Sequence, residues 1–240
     1  MLTWRFVYEV RGVAKFLSHL DILKLFNRTL LRAGLPVAYS EGFNPHARIS
    51  FGPPRGVGQE GLREYGDLQL REDLQRPLAA VEVCRRLNLA LPKGVRVLEG
   101  RFLTAAAPAL MAEINLGTYE AVFNNKKDLG ELSDELNDEQ AEFLRRRLGE
   151  FAGAAKAEVL RHHPKKGDKL IDLKAGVSRI ALLEDEAGLR LVLEIPYGAG
   201  GSVKPVEVMG WLLGERSDIS YRLSRTGLYV AEPGGERLLP

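Results

Sequence analysis

The hydrophobic pattern of the first hundred residues predicts two helices among four extended segments. Residues 4–10 are mostly aromatic and β-branched, which is typical of a strand. A capping box of Ser18 and Asp21 begins a helix that Gly34 ends. The other elements of this half follow in order: extended segments at 36–40 with 48–51 and at 64–70, a helix over 78–91 and a strand over 95–103.

The second half repeats this order less regularly. Residues 117–123 alternate as in a strand, and Asn137 with Gln140 predicts the start of a long helix. The later elements are extended segments at 157–163, 169–173, 177–183 and 189–195, a helix over 203–213 and a strand over 218–230. Both halves therefore have the β-α-β-β-α-β order, which predicts an α+β fold of two tandem ferredoxin-like units with antiparallel sheets. The predicted units are 1–105 and 106–232, joined by a small-residue linker at 104–108 and followed by a tail at 233–240.

Charge is distributed unevenly between these two units. The chain has 240 residues and a formal net charge of +2. Residues 1–105 have 16 basic and 10 acidic side chains, whereas the remainder has 18 basic and 22 acidic ones. The second unit combines an acidic segment at 128–142 with a basic segment at 156–174. A basic first unit suits a nucleic-acid partner, although a normally solvated surface explains the same charge.

The single cysteine, Cys84, excludes an internal disulfide and a multi-cysteine metal or iron–sulfur cluster in this chain. No apolar run reaches the roughly 18 residues that a membrane span requires, and the first residues lack the apolar core of a signal peptide. We therefore expect a cytoplasmic protein with no membrane partner.

The loop at 39–54 is the first candidate site. It combines aromatic rings with histidine and arginine, a mixture that suits single-stranded RNA because unstacked bases lie on aromatic rings while cationic groups contact phosphates. The helix before it has a basic stripe at i, i+4 and i+8. The nucleic-acid-binding candidates are Lys24, Arg28, Arg32, Tyr39, Phe43, Asn44, His46, Arg48 and Phe51. The alternative is that the phenylalanines anchor the core and that Asn44–Pro45 is a simple turn.

A glycine-rich turn before the last helix is the second candidate. Backbone N–H groups that converge at a helix N-terminus attract an anion, and a nearby hydroxyl and ammonium strengthen that attraction. The anion-binding candidates are Gly200, Gly201, Ser202 and Lys204. A plain strand-to-helix turn with Ser202 as the N-cap is an equally good interpretation.

The histidines are the third candidate. His19 lies at a helix start, where the helix dipole disfavours the imidazolium and leaves a neutral ring that can act as a base or ligand. If that helix start lies near the loop, His19, Asp21 and His46 converge, and they could perform acid–base chemistry on a ribose hydroxyl or bind a metal. His19 and His46 are therefore weak catalytic candidates, the alternative being ordinary structural histidines. No metal site is assigned.

Several runs of sequence resemble a radical-SAM-linked domain family of unknown function. The runs that carry the resemblance are Phe16–Asp21, Arg32–Pro36, Ser40–His46 and Ile49–Pro54, with weaker similarity as far as Val230. The resemblance implies a domain that is fused to a B12-binding radical SAM protein or stands alone beside one, and that occurs near a ribonuclease of the E/G type and ribosomal protein genes. It assigns no catalytic residue. The chain departs from the family pattern at Gly66, so we expect that strand to be bent or bulged there.

The leading hypothesis is a non-catalytic accessory subunit that binds RNA or a ribosomal substrate for a B12-binding radical SAM enzyme in trans. A radical SAM cluster needs three cysteine thiolates, so the iron–sulfur cluster, S-adenosylmethionine and cobalamin are expected only in that partner. One alternative is a metal-independent RNA-processing or RNA-modifying enzyme that uses His19 and His46. Another is a protein–protein scaffold without RNA binding, whose segment 128–142 contacts a basic partner.

Overall fold

The protein consists of two compact units. A computed structural model describes residues 1–71, 78–103, 108–126, 132–133, 136–162, 167–185, 188–198, 202–232 and 237–240. Unit 1 comprises Met1–Asn115 and Arg225–Pro240, and unit 2 comprises Leu116–Ser224. This division differs from the sequence-based one because 106–115 and the residues from Arg225 onward belong to unit 1. The predicted linker residues 104–107 lie outside the described residues, as do 233–236 of the predicted tail.

The elements follow the chain in this order. The first part of unit 1 contains β1 (Leu2–Val10), the 3-10 helix Gly12–Phe16, α1 (His19–Ala33), β2 (Ile49–Phe51), β3 (Glu60–Leu70), α2 (Ala80–Ala90), β4 (Val95–Phe102) and α3 (Leu110–Glu113). Unit 2 contains β5 (Leu116–Lys126), β6 (Leu132–Ser133), α4 (Asp138–Gly153), β7 (Glu158–Arg161), β8 (Lys169–Asp172), α5 (Leu173–Gly176), β9 (Arg179–Asp185), β10 (Gly188–Pro196) and α6 (Pro205–Leu213). β11 (Ile219–Ala231) begins in unit 2 and ends in unit 1, where β12 (Arg237–Leu238) pairs with it. The fold is thus α+β with mostly antiparallel strands.

In the sheet of unit 1, β1 lies between β4 and β3, and β3 also pairs with β2; each of these pairs is antiparallel. Because side chains alternate along a strand, the even positions of β1 face the core and the odd positions face away from it. Trp4, Phe6 and Tyr8 pack there with Phe26 of α1 and with residues of α2. The opposite side of this sheet is called the outer face below.

α1 begins and ends where the sequence predicts. Ser18 accepts a hydrogen bond from the Asp21 N–H while the Asp21 carboxylate accepts one from the Ser18 N–H, so the capping box is closed. Gly34 follows the helix in the left-handed region, at φ 60°, which favours glycine. The predicted helix at Asn137 is confirmed too, since Asn137 and Gln140 form the same reciprocal cap on α4.

Gly66 does not interrupt β3. The strand continues through it in regular register, with Phe6 directly opposite on β1. A Cβ at Gly66 would overlap the Phe6 ring. Glycine at this position therefore leaves the space in which the ring lies against β3. The expected bend at Gly66 is wrong, and the register shift lies between Tyr8 and Val10 instead.

Unit 2 has its own core. β10 lies between β5 and β9 and is antiparallel to both, while β11 is the other neighbour of β5; β7 and β8 form a separate pair. Leu191, Leu193 and Ile195 of β10 pack in a cluster that includes Val208 and Leu212 of α6. The predicted acidic segment lies partly outside the described residues, at 128–131 and 134–135, and so do 163–166 of the basic segment.

Within the part of the chain that the structure describes, no helix has the length and apolarity to cross a membrane.

Candidate nucleic-acid interface

The outer face of unit 1 is rich in arginine. The strand register places Arg5 of β1 opposite Arg101 of β4 and Asp67 of β3, and Glu9 opposite Arg96. The outer face comprises Thr3, Arg5, Val7, Glu9, Arg48, Ser50, Arg63, Tyr65, Asp67, Gln69, Arg96, Glu99 and Arg101. A sheet side with five arginines and three acids has the excess of positive charge that attracts a polyanion.

Arg5 is the structural arginine of this face. Its side chain is buried, and its guanidinium donates to the Asp67 carboxylate at 2.8 and 2.9 Å and to Glu113 at 2.8 Å. It also donates to the Pro108 carbonyl oxygen at 3.0 Å, which fixes the segment before α3 against the sheet. Its charge is therefore neutralised within unit 1.

The other four arginines are more accessible. Arg63 pairs with Glu99 at 2.5 Å, and both side chains are more than one-third exposed. Arg101 is exposed and donates to the Pro240 carbonyl oxygen at 3.0 Å, and Arg48 makes only a long contact of 3.4 Å with the Gln69 side-chain oxygen. Arg96 is exposed and has no ion-pair partner among the described residues. These guanidinium groups retain free donors for phosphate oxygens.

Two clefts open on the outer face. One, of about 150 Å³, is lined by Arg63, Tyr65, Arg101 and Pro240 among others, and we call it the Tyr65 cleft. The second, of about 490 Å³, is lined by Arg48 with Ser50, Asp67 and Gln69 among others. Arg48, a candidate from the sequence, thus belongs to this face, whereas α1 packs on the other side of the sheet.

The loop 39–47 projects its aromatic tip into solvent. The Ser40 N–H donates to the His46 carbonyl oxygen at 2.8 Å, and the His46 N–H donates to the Ser40 hydroxyl at 3.0 Å, so the loop is closed at its base. Phe43 is fully exposed, at 106 % of its reference area, and Asn44 is exposed beside it. Phe43 is therefore not a core anchor, and its ring is free to stack.

Phe51 differs from its prediction as a stacking residue. It is only 6 % exposed, and its ring lies 5.2 Å from Phe26 and 5.6 Å from Tyr8, centroid to centroid. The reason is the register of β2, which turns Phe51 to the core face opposite Gly66. No base can reach this ring in the folded unit. Tyr39, by contrast, is partly exposed at the start of the loop.

The basic stripe of α1 is exposed but not uniformly free. Arg32 donates to the Ala90 carbonyl oxygen at the end of α2, at 2.9 Å, and to Thr29. It therefore links the two helices and satisfies a helix-terminal carbonyl. Lys24 and Arg28 are exposed, and neither has an ion-pair partner among the described residues. These two remain available for phosphate.

The predicted histidine trio is not assembled. His19 is half-buried, its ring 6.1 Å from Phe51, in a narrow cleft that Tyr8, Arg55 and Glu64 also line; neither Asp21 nor His46 is among the lining residues. Asp21 is committed to the Ser18 cap, and the hydrogen bonds from Ser18 hold its pKa below the usual value. No group of three His, Cys, Asp or Glu side chains suited to a metal exists among the described residues.

Sequence reasoning missed a buried ion pair beneath the loop 52–59. Arg225 donates to both oxygens of Glu64, one at 2.8 Å, and to the Pro53 carbonyl oxygen at 2.7 Å. Arg55 donates to the carbonyl oxygens of Lys15 and Leu17, at 2.8 and 3.2 Å, and also to that of Gln59. Since these guanidinium groups are engaged by carboxylate and carbonyl oxygens, they hold the loop in place. In the sequence, Arg225 and Thr226 belong only to the region of weaker family similarity that extends to Val230. No local pattern there indicates that Arg225 is buried.

The anion site predicted before α6 already holds a side chain of the protein itself. The Lys204 N–H donates to the Glu207 carboxylate at 2.8 Å, and Arg161 pairs with the same carboxylate at 2.6 Å. Arg161 also donates to the Ser202 carbonyl oxygen at 3.0 Å. Glu207 thus provides the negative charge that the helix N-terminus favours. The predicted Gly200 and Gly201 lie outside the described residues.

Comparison with known proteins identifies a family without an assigned activity. A crystal structure of an unknown protein from Galdieria sulphuraria is 10 % identical and covers 94 % of this chain and 99 % of its own, with a TM-score of 0.20, which is too low to carry an argument. No curated protein matches. Residues 4–205 match the family described as "Uncharacterized protein conserved in bacteria (DUF2344)", and the chain belongs to that family.

Proposed function

We propose that the protein is a non-catalytic RNA-binding subunit that holds single-stranded RNA on the loop 39–47 and the outer face of unit 1. The position of Arg48 carries the proposal. It directly follows the loop, and its N–H donates to the Ala38 carbonyl oxygen at 2.8 Å. Its exposed guanidinium lies on the outer face. The exposed Phe43 ring thus lies five residues before an exposed guanidinium that belongs to the outer face.

The chemistry of this surface suits an unpaired strand. Aromatic rings stack on bases of any sequence, and guanidinium groups bind phosphate oxygens. Phe43 provides the first, while Arg48, Arg96 and Arg101 provide the second. Lys24 and Arg28 lie on α1, which packs on the other side of the sheet, so they are not part of this surface. A duplex is less suitable, because its bases are already stacked on one another.

We further propose that each unit is ferredoxin-like. The strand pairing of unit 1, in which β1 lies between β4 and β3 and β3 also pairs with β2, supports this for the first unit, together with helices after its first and third strands. In unit 2 the corresponding strands are β5, β9, β10 and β11, and their spatial order, β11-β5-β10-β9, is equivalent. The remaining elements of unit 2 are insertions into that order. This duplication rests on topology, since the two halves have no evident sequence identity.

The proposed setting is cytoplasmic, beside a B12-binding radical SAM enzyme in a separate chain. The family resemblance and the cysteine content support it, because one cysteine cannot provide three cluster ligands. Cys84 is partly buried in α2, and burial raises the pKa of its thiol, which disfavours the thiolate. The iron–sulfur cluster, S-adenosylmethionine and cobalamin would belong to the partner, and RNA or a ribosomal particle would be the shared substrate.

Fluorescence anisotropy with an unstructured, labelled oligoribonucleotide tests RNA binding as a function of salt. For a single strand, each phosphate contact contributes about 0.7 to the slope of log K against log salt. We expect Arg48→Ala to weaken binding and to reduce this slope by about 0.7. Arg85→Ala is the matched control, because Arg85 is an exposed arginine of α2 on the other side of the same sheet.

Two results would contradict the proposal. Absence of binding at low salt would exclude RNA as the ligand. Turnover of RNA by the purified chain that disappears in His46→Ala would favour the RNA-processing alternative over a non-catalytic subunit.

A further inference from the structure

The Tyr65 cleft is a separate, partly enclosed cavity on the outer face. Its floor is formed by β1, β3 and β4, through Val7, Tyr65 and Gly100, and its cationic walls are Arg63 and Arg101. The chain's own Leu239 and Pro240 close one side. Its volume of about 150 Å³ accommodates a small polar group and not a whole nucleotide.

The proton of the Tyr65 hydroxyl has no acceptor among the described residues. The residue is 3 % exposed, and its hydroxyl oxygen interacts with the Arg63 guanidinium, which can only donate. A buried donor without an acceptor costs free energy, so an acceptor from outside the protein, a water or a ligand, is expected there. Because Tyr65 lines the cleft, a bound ligand can satisfy it.

The lining provides donors and one unpaired positive charge. Three arginines line the cleft, but Arg5 is neutralised by its own acids and Arg63 pairs with Glu99, so Arg101 is the one without an ion-pair partner among the described residues. A guanidinium has five N–H donors. Arg63 uses one nitrogen on Glu99, and Arg101 uses one on the Pro240 carbonyl oxygen, so both retain donors. Arg5, in contrast, is already bound to Asp67 and Glu113.

The protonation state of Tyr65 agrees with a donor role. Burial raises the pKa of the Tyr65 hydroxyl, while the charge of Arg63 opposes that shift. The hydroxyl is therefore protonated at neutral pH and donates. A neutral donor beside two cationic donors is suited to an oxyanion, whose several oxygens each accept a hydrogen bond.

We propose that the Tyr65 cleft binds a phosphate group, held by the Tyr65 hydroxyl and the free N–H donors of Arg63 and Arg101. This deepens the proposed function and rests on it for the source of the phosphate, which is an RNA strand, either at its end or along its backbone. The shape of the site also limits what enters. A cleft of about 150 Å³ takes the phosphate group, while the base remains outside.

Thermal unfolding in the presence of inorganic phosphate tests the site directly, with chloride at matched ionic strength as the control. A ligand that binds only the folded state raises the unfolding temperature. Tyr65→Phe removes the hydroxyl alone, and we expect it to weaken phosphate binding at least about tenfold, since hydrogen bonds to charged groups are worth about that much. Arg101→Gln is expected to do the same, and Tyr221→Phe in unit 2 is the matched control.

Stability without phosphate provides an independent readout. Because no described group accepts the Tyr65 hydroxyl proton in the free protein, Tyr65→Phe should change the unfolding temperature little. A marked decrease would mean that the hydroxyl has a structural bond, which would overturn the inference.

Two oligoribonucleotides, identical except for a 5′-phosphate or a 5′-hydroxyl, distinguish the phosphate sources. A Tyr65→Phe effect on the phosphorylated strand alone assigns the cleft to a terminal phosphate, and an equal effect on both assigns it to the backbone. If inorganic phosphate binds through Tyr65 but neither strand binds, the phosphate site is supported and the proposed RNA binding is contradicted. If both strands bind and neither Tyr65→Phe nor Arg101→Gln changes the affinity, RNA binding is supported and the phosphate site is contradicted.

Discussion

The Arg225 guanidinium and the Glu64 carboxylate form a bidentate ion pair inside unit 1, with only 1 % and 3 % of the two residues exposed. They lie 161 positions apart in the chain, so the pair ties the last long strand to β3. Arg225 also donates to the Pro53 and Pro54 carbonyl oxygens, at 2.7 and 3.3 Å. The conformation of the loop that follows Phe51 therefore depends on a residue near the end of the chain.

Removing one partner of this pair should be strongly destabilising. Arg225→Ala leaves the Glu64 charge buried without compensation, and we expect a loss of about 3–5 kcal/mol in the free energy of unfolding, measured by urea denaturation. The double variant Arg225→Met with Glu64→Leu should recover most of that loss, because apolar side chains of similar size need no partner. The exposed pair of Glu82 with Arg85 and Arg86 is the control, and Glu82→Gln should change stability little. An Arg225→Ala effect as small as that of the control would contradict a buried pair.

The ends of the elements were readable from the sequence because local chemistry determines them. Ser18 with Asp21, Asn137 with Gln140 and Gly34 each act within one helical turn. The pairing of Arg225 with Glu64 has no such local signal, since either residue alone resembles a solvated charge in an exposed strand. The return of the chain into unit 1 after Ser224 was unpredictable for the same reason.

Gly66 is the position where a methyl group should be least tolerated in β3. Its missing side chain leaves the space that the Phe6 ring fills, and Phe6 packs in turn on Trp4 at 5.1 Å and Phe26 at 5.6 Å, centroid to centroid. Gly66→Ala should therefore destabilise the protein by about 1–3 kcal/mol through overpacking. The control is Gly149→Ala in α4, where a Cβ meets nothing within 4 Å and should be neutral or stabilising. Equal unfolding free energies for Gly66→Ala and the wild type would show that the ring is not held there.

The candidate site was predictable only in part. Arg48 and Phe43 attract attention because a loop with aromatic and cationic residues is unusual on its own. Arg63, Arg96 and Arg101 join them only through the register of three strands, which the sequence does not determine. The sequence left two interpretations of the turn before α6, an anion site and a plain turn, because nothing local indicates that Arg161 would reach Glu207 from β7.

Tyr8 should make the stability of the protein sensitive to alkaline pH. Burial, aided by the Glu64 charge, raises the pKa of its hydroxyl above the ordinary value of 10.0, while Arg225 and Arg55 oppose the shift. Above pH 10 the unfolded chain loses this proton and the folded one keeps it, so the unfolded state gains stability. The contribution of Tyr8 to the free energy of unfolding is thus constant below pH 10 and falls as the pH rises further. Denaturation of wild type and Tyr8→Phe across this range checks it, and the variant should show the smaller fall; identical slopes would contradict the assignment.

Phe43 and Phe51 lie eight positions apart and should respond to truncation in opposite ways. Phe43 has no burial to lose, so Phe43→Ala should leave the free energy of unfolding within about 0.5 kcal/mol of wild type. If its ring stacks on a base, the same substitution should weaken RNA binding by about 1–3 kcal/mol. Phe51→Ala removes a ring that contacts Phe26 and Tyr8, which should cost about 3–5 kcal/mol of stability. Urea denaturation and anisotropy on the same two variants separate these roles. If Phe43→Ala binds RNA as tightly as wild type, the loop is not part of the interface. If Phe51→Ala lowers the RNA affinity without lowering stability, the stacking ring is Phe51 instead.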